Sequence, residues 1–361
     1  FFFVRPCPLP RPSVSFCSRT MHLHDVVGAG SLKQYPDIPQ INIDTDNLKQ
    51  VLEVCKPWNE PPGVFTLISR VGEGAYGVIF KAQLHGKTVA AKKLKDHVCL
   101  RKRYSDTVDW SKKDHKADQA YNDLLTELAV LVSMGKHPNL VQFMGACLAD
   151  EQNPIIFEEF VEGPSLANFF SKKAGAWVPP RSVTYHWIVD MVRGLEFLHN
   201  RDPVIIHRDV KPGNLLLTKD LMCLKIADFG MSKMVRRGQV GRGPGNTGTE
   251  AYMAPEVFHK EQAQFTDRMD IYSAAVIMWY IATGQGGMLY SRRTGDDWRP
   301  DLSVVEWEEL KTIISWAWSA KPESRPSASA LLEGLQKMPN LPPPIQPMID
   351  FGPPGCQCSI Q

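Results

Sequence analysis

The stretch Ile206-His207-Arg208-Asp209-Val210-Lys211-Pro212-Gly213-Asn214 decides how the rest of the chain is read. It sets a carboxylate, an ammonium and an amide close together, and Asp228-Phe229-Gly230 follows nineteen residues after Asp209. Well upstream, Val64-Phe65-Thr66-Leu67-Ile68 runs into Val71 as a strand. Gly72-Glu73-Gly74-Ala75-Tyr76-Gly77 interrupts it, Val78 to Leu84 resumes as a second strand, and His85-Gly86-Lys87 turns the chain into a third, Thr88 to Lys92.

Gly72-x-Gly74-x-x-Gly77 alone is weak. A simple turn satisfies it, and so does a dinucleotide-binding loop, for which Asp96 lies at a suitable distance. That second reading needs a helix to begin at the loop, whereas a strand follows here. No Gly-Lys-Ser/Thr follows either, so it is not a P-loop. A strand–loop–strand hairpin instead lies over phosphates as a flap, its glycines letting backbone N–H groups approach oxygen without a Cβ in the way. Lys92 is then either a surface lysine or a strand lysine that holds phosphates. The second role needs a carboxylate to fix the ammonium, and Glu127 is the best candidate. It lies on a segment, 121–134, whose Leu124, Leu128, Leu131 and Val132 recur at helical spacing. Pro154 precedes a strand-like run, Ile155 to Val161. From Pro179 the spacing of Val183, Trp187, Met191, Leu195 and Leu198 is helical, and Met269–Thr283 and Trp307–Trp318 add further helices. The chain is α+β in two lobes, strand-rich before about Gly163 and helix-rich after it, with a ligand cleft expected between them.

With Gly248-Thr249-Glu250-Ala251-Tyr252-Met253-Ala254-Pro255-Glu256 added, the ordered motifs resemble the eukaryotic protein kinases over about residues 64–337. The resemblance implies a bilobal kinase-like fold, with a small β-rich N-lobe (about 64–162) and a larger helical C-lobe (about 163–337). It implies ATP and Mg²⁺ as cofactors and transfer of the γ-phosphate to protein hydroxyls, work done by positioning and charge neutralisation. By motif, Asp209 accepts the proton of the substrate hydroxyl, Lys211 stabilises the γ-phosphate, and Asn214 and Asp228 bind the metal as hard oxygen ligands. Lys92 holds the α and β phosphates, braced by Glu127. Val71, Gly72, Gly74, Gly77, Ile79, Ala90 and Leu216 enclose the nucleotide, with backbone groups of Glu159 and Val161 on the adenine. Leu131, Phe143, His207 and Phe229 form a spine between lobes, Asp270 anchors the catalytic loop, and Arg325 pairs with Glu256.

Lys211-Pro212 and Gly248-Thr249 resemble the serine/threonine type. His137-Pro138-Asn139-Leu140-Val141, Glu162-Gly163-Pro164-Ser165-Leu166 and Trp298-Arg299-Pro300 resemble the tyrosine-kinase-like (Raf-like, mixed-lineage) group. Two departures stand out. Counting back from Leu166 places Glu158 at the gatekeeper position, where the family carries an uncharged residue. Either Glu158 pairs with Lys92 or another donor, or Phe157 is the gatekeeper. The second departure is 93–120, with eight Lys/Arg and five Asp, which is expected to be an exposed insertion. The segment Met231 to Met253 carries Lys233, Arg236, Arg237 and Arg242. An upstream kinase acting on the Thr247/Thr249 region would order it through Arg208, unless it is simply a solvated basic loop.

Composition bounds the remaining classes. The 361 residues carry a net charge of +2, which gives no basic field for nucleic acid, and the longest strongly apolar stretch, Ala274–Ala282, is too short for a membrane span. Of 28 prolines, nine fall in 1–63 and seven in 338–361, so both ends are expected to be arms, the second a proline-rich tail. Eight scattered cysteines suit a reducing, cytoplasmic setting. Residues 1–24, with Arg5, Arg11, Arg19 and no acid, offer organelle targeting as an alternative. The competing function is a pseudokinase scaffold, against which Lys92, Asp209, Asn214 and Asp228 all count.

Overall fold

The computed structural model describes residues 48–73, 77–95, 115–149, 154–172, 178–244, 249–258, 260–285, 295 and 298–345. Five antiparallel strands, β1 (Phe65–Glu73), β2 (Gly77–Leu84), β3 (Lys87–Leu94), β4 (Phe143–Cys147) and β5 (Ile155–Glu159), form one sheet in the order β1-β2-β3-β5-β4. Side chains alternate across a strand, so this register assigns the faces. Ala91 and Phe157 are paired and join Ala82, Leu84, Val89 and Cys147 in an apolar cluster on one side. Lys92 opposite Ile156, and Ala90 opposite Glu158, lie on the other side.

Two helices accompany this sheet: α1 (Leu48–Cys55) precedes it, and α2 (His115–Met134) lies between β3 and β4 in the chain. The N-terminal arm expected over 1–63 does not hold for 48–63. Val51, Cys55 and Trp58 are buried, α1 packs along α2, and the Glu60 N–H donates to the Ala146 carbonyl of β4 at 2.7 Å. A short apolar face of i, i+4, i+7 spacing sufficed here, and the nearby prolines concealed it. The insertion expected over 93–120 is likewise shorter. Lys93 and Leu94 complete β3, and 115–120 open α2 because Ala117, Ala120, Lys116 and Gln119 are good helix formers even without apolar spacing. Residues 96–114 lie outside the described residues.

The C-terminal lobe holds α3 (Leu166–Ser171), α4 (Arg181–His199), α5 (Arg268–Thr283), α6 (Glu308–Ala317) and α7 (Ala328–Gln336). Ser165 and Ser327 cap α3 and α7 by accepting from the N–H groups of Asn168 and Ala330. Gly284, at φ +67°, ends α5 in the left-handed conformation. Nearly every residue of α5 is buried, as expected for a helix apolar all round, and α4 and α6 pack against it. Three two-stranded ladders lie among these helices: β6 (Val204–Ile206) with β9 (Lys233–Val235), β7 (Leu215–Leu217) with β8 (Leu224–Ile226), and β10 (Gly241–Pro244) with β11 (Gln262–Phe265). A β-rich lobe thus precedes a helical one. Among the described residues no helix is long and apolar enough to cross a membrane.

Candidate active site

The loop between β6 and β7 is set by one buried carboxylate. Asp270, in the first turn of α5, accepts the N–H groups of His207 and Arg208, both at 2.8 Å, and faces His199 Nε2 at 2.9 Å. Burial alone would raise its pKa, but the hydrogen bonds and the nearby imidazoles overcome this and hold it below the usual carboxylate value. Arg208 takes φ +69°, a left-handed conformation costly for a bulky residue, and the bond from its N–H to Asp270 helps fix it there. Asp209 follows, buried, with Oδ2 accepting from Lys211 Nζ at 2.5 Å and Asn214 Nδ2 at 3.1 Å. Asn214 Nδ2 also donates to the Asp209 carbonyl at 2.9 Å, which leaves the amide oxygen directed away from Asp209.

Asp228 follows β8 at φ +64°. Its Oδ1 accepts from Lys92 Nζ at 2.9 Å, and the same ammonium donates to Glu127 Oε1 of α2 at 2.6 Å. One lysine on the sheet therefore joins a helix residue 35 positions away to one 136 positions away. Lys92 holds Asp228 down at about 2. Burial on its own would weaken the ammonium, but Glu127, then Asp228, then Glu158 keep its pKa above the ordinary lysine value. Burial pushes the Glu127 carboxyl up against the pull of Lys92.

The sheet register separates the two gatekeeper readings. Phe157 belongs to the apolar cluster on the far face and packs on Phe65, with ring centroids 5.0 Å apart. Glu158 shares the Lys92 face, opposite Ala90 on β3 and Phe143 on β4. It is only 8% exposed, and its Oε1 has no hydrogen-bond partner. Burial first, then Glu127 and Asp228, against relief from Lys92, push its carboxyl up to about 8. The direct Lys92–Glu158 bond considered from sequence is not formed.

Among the residues expected around the nucleotide, half-buried Ile79 and Ala90 lie on the Lys92 face. Gly72 pairs with Ile79, and Val71 is exposed near the end of β1. Gly77 opens β2, where a Cβ would meet the Lys93 carbonyl at 3.3 Å. Gly74 lies outside the described residues. Leu216 is the middle residue of β7, bridged to Ser165, and half-buried Val161 lies just past β5. The Glu159 N–H already donates to the Gln142 carbonyl at 2.8 Å, so of its two backbone groups only the carbonyl is left to offer. Sequence reasoning missed its side chain, which pairs with Lys225 Nζ at 3.0 Å and links the end of β5 to β8. No spacing rule reports a contact of that kind. His207 and Phe229 of the expected spine pack edge to face at 5.2 Å. Arg325 grips Glu256 with both nitrogens, at 2.7 and 2.8 Å.

In the basic segment that starts at Met231, the residues up to Pro244 are held by contacts to Arg208 and β11. Arg208 donates to the carbonyls of Met231 and Pro244 and stacks over Phe265 at 4.5 Å, while β10 is laddered to β11. Thr247 and Gly248 lie outside the described residues. Thr249 is half-buried and its carbonyl accepts from the Tyr252 N–H at 2.9 Å.

The donor chemistry fits a magnesium nucleotide. The Asn214 amide oxygen and the Asp228 carboxylate are hard oxygen donors, few enough for a metal that retains waters and takes phosphate oxygens, and Lys92 and Lys211 supply ammonium groups beside them.

The sequence profile described as the protein kinase domain matches residues 65–335. Serine/threonine-protein kinase VIK of Arabidopsis thaliana is 31% identical over 286 residues, 76% of this chain and 60% of that protein. Seven transmembrane domain-containing tyrosine-protein kinase 1 of Dictyostelium discoideum is 31% identical over 277 residues, 74% of this chain and 37% of that one. Mitogen-activated protein kinase kinase kinase 7 of Bos taurus is 31% identical over 278 residues, 73% of this chain and 42% of that one. The chain thus spans less than two thirds of the length of these relatives. With the profile covering most of its length and the ordered motifs converging on one cleft, the chain belongs to the protein kinase family.

Proposed function

We propose that the protein is an ATP-dependent serine/threonine kinase that phosphorylates protein hydroxyls in a signalling pathway. The observation that carries this reading is the assembled pair of clusters, Lys92–Glu127–Asp228 and Asp209–Lys211–Asn214, each closed by hydrogen bonds. A pseudokinase scaffold has no need of both. Magnesium, when bound with the nucleotide, neutralises charge on the phosphates, and Asn214 and Asp228 are the residues that would hold it. Lys92 anchors the phosphates of the nucleotide, braced by Glu127. Asp209 orients the substrate hydroxyl and accepts its proton, its carboxylate already fixed by Lys211 and Asn214. Lys211 lies close enough to offset charge on the transferred group. Lys211-Pro212 supports the serine/threonine class, as does the name of one of the three relatives above, whereas another is named a tyrosine-protein kinase.

An upstream kinase acting on the Thr247/Thr249 region is part of the same proposal. Its phosphate would act next to a segment, β10, that is already laddered to β11. The test is phosphotransfer from radiolabelled ATP·Mg²⁺ to a generic protein substrate, followed by phosphoamino-acid analysis. Parent protein should label serine and threonine, and Asp209→Asn should lose at least about a hundredfold in kcat. No transfer by the parent would move the reading to a scaffold, and phosphotyrosine alone would overturn the hydroxyl class.

A further inference from the structure

Three carboxylates act on Lys92, and only two of them bond to it. The third, Glu158, is placed by the sheet. Lys92 faces Ile156 and Ala90 faces Glu158 on neighbouring antiparallel strands, so Glu158 is the diagonal neighbour of Lys92 on one face of the sheet. Long side chains reach one another across that diagonal. The Glu158 side chain is more than nine-tenths buried and its Oε1 accepts no hydrogen bond. A buried polar oxygen without a partner is costly, and one held in place beside a shared ammonium calls for a reason.

The partners that do hold Lys92 ride on other elements. Glu127 belongs to α2 and contacts the sheet by packing, and Asp228 lies on the segment after β8, where the proposed metal would also draw on its carboxylate. Glu158 alone is tied to the Lys92 strand by a continuous backbone ladder. We infer that Glu158 is a reserve positioning residue for Lys92, able to take the ammonium where Glu127 does not hold it, so that nucleotide binding survives loss of the Lys92–Glu127 bond. This inference rests on the reading of Lys92 as the phosphate anchor.

The test is a double-substitution cycle on the full chain: parent, Glu127→Gln, Glu158→Gln, the double variant, and Lys92→Met as control. Dissociation constants are measured by fluorescence with a labelled ATP analogue without metal, and KM for ATP and kcat by phosphotransfer. Thermal melts establish that each variant is folded. Glu127→Gln should lower kcat but weaken nucleotide binding by no more than about fivefold. The double variant should bind at least about fivefold more weakly than the product of the single effects, the size of coupling seen between groups sharing one partner. Restoring a carboxylate, as Glu127→Gln with Glu158→Asp, should recover part of the affinity, which a merely structural role would not. Single effects that multiply without excess, or loss of binding in Glu127→Gln alone, overturn the inference. Should Lys92→Met bind as tightly as the parent, the phosphate-anchor reading falls as well. Loss in Lys92→Met with a multiplicative double variant overturns the reserve role alone.

Discussion

Replacing Glu158 with glutamine should make the protein more stable, and by an amount that grows with pH. The native carboxyl titrates at about 8, against 4.5 for an unperturbed glutamate. An acid whose native pKa lies above its unfolded value binds its proton more tightly when folded. Below pH 4.5 both states keep the proton, and the group contributes no pH dependence. From there toward pH 8 the unfolded chain has released the proton and the native chain has not, so the parent loses stability at about 1.4 kcal/mol per pH unit. By pH 7 the loss amounts to roughly 3 kcal/mol, and above pH 8 it levels off. Glutamine keeps the shape of the side chain and cannot ionise. Urea titrations without nucleotide at pH 5, 6, 7 and 8 should therefore show the variant close to the parent at pH 5 and roughly 3 kcal/mol ahead by pH 7. A constant difference across this range would refute the reasoning. A parent that gains on the variant as pH rises would show that the native carboxylate is ionised and paired.

Gly163→Ala should cost at least about 1–3 kcal/mol and raise KM for ATP, because its Cβ would lie 2.1 Å from the Leu217 carbonyl oxygen, next to Leu216, and 2.6 Å from that of Thr218. An unchanged melting temperature would count against that packing. Gly241→Val would drive its Cβ to 2.4 Å from the Phe265 ring and unzip β10 from β11, so tryptic cleavage at Arg236, Arg237 or Arg242 should accelerate; equal digestion rates would show the ladder to be unimportant. Arg325→Lys removes a bidentate fork that also donates to the carbonyls of Ser319, Ala320 and Arg268, and should destabilise the protein by about 3–5 kcal/mol in chemical denaturation. A loss under about 1 kcal/mol would mean that lysine recovers the network.

Residue types whose chemistry is unusual in combination were legible from sequence. An ordered series of acids, amide and lysines between Lys92 and Asp228 has few uses, and the strand–glycine–strand pattern matches the antiparallel pairing of β1 with β2. Contacts that depend on register rather than type were not. Asp228 as a second partner of Lys92 follows from how the β7–β8 ladder meets the sheet. The Glu159–Lys225 link needs the end of β5 to lie beside β8, which no local pattern states. Whether Glu158 or Phe157 faces the cleft turns on a single residue of register, and a slip of one exchanges every side chain between faces. β10 was invisible because Gly241-Arg242-Gly243-Pro244 shows no alternation and owes its pairing to β11. The Val51–Cys55–Trp58 face was hidden for a different reason: proline counted over a long window outweighed a short helix.

The two strained residues of the cleft clarify how the lobes share the work. Arg208 and Asp228 both take positive φ, at an expense of about 1–3 kcal/mol each that the surrounding structure must overcome. At Arg208 the stabilisation comes from Asp270, fully buried in α5, so the orientation of Asp209 is fixed by the core of the helical lobe. At Asp228 the side-chain partner is Lys92, which belongs to the sheet and is itself braced by Glu127 on α2. The proposed base, and Asn214 bonded to it, are therefore held independently of α2, whereas the other proposed metal ligand, Asp228, is held through it. A movement of α2 can disturb Asp228 and the phosphates while leaving Asp209 in place. Glu158 belongs to neither arrangement: it is attached through β5 to the strand that carries Lys92.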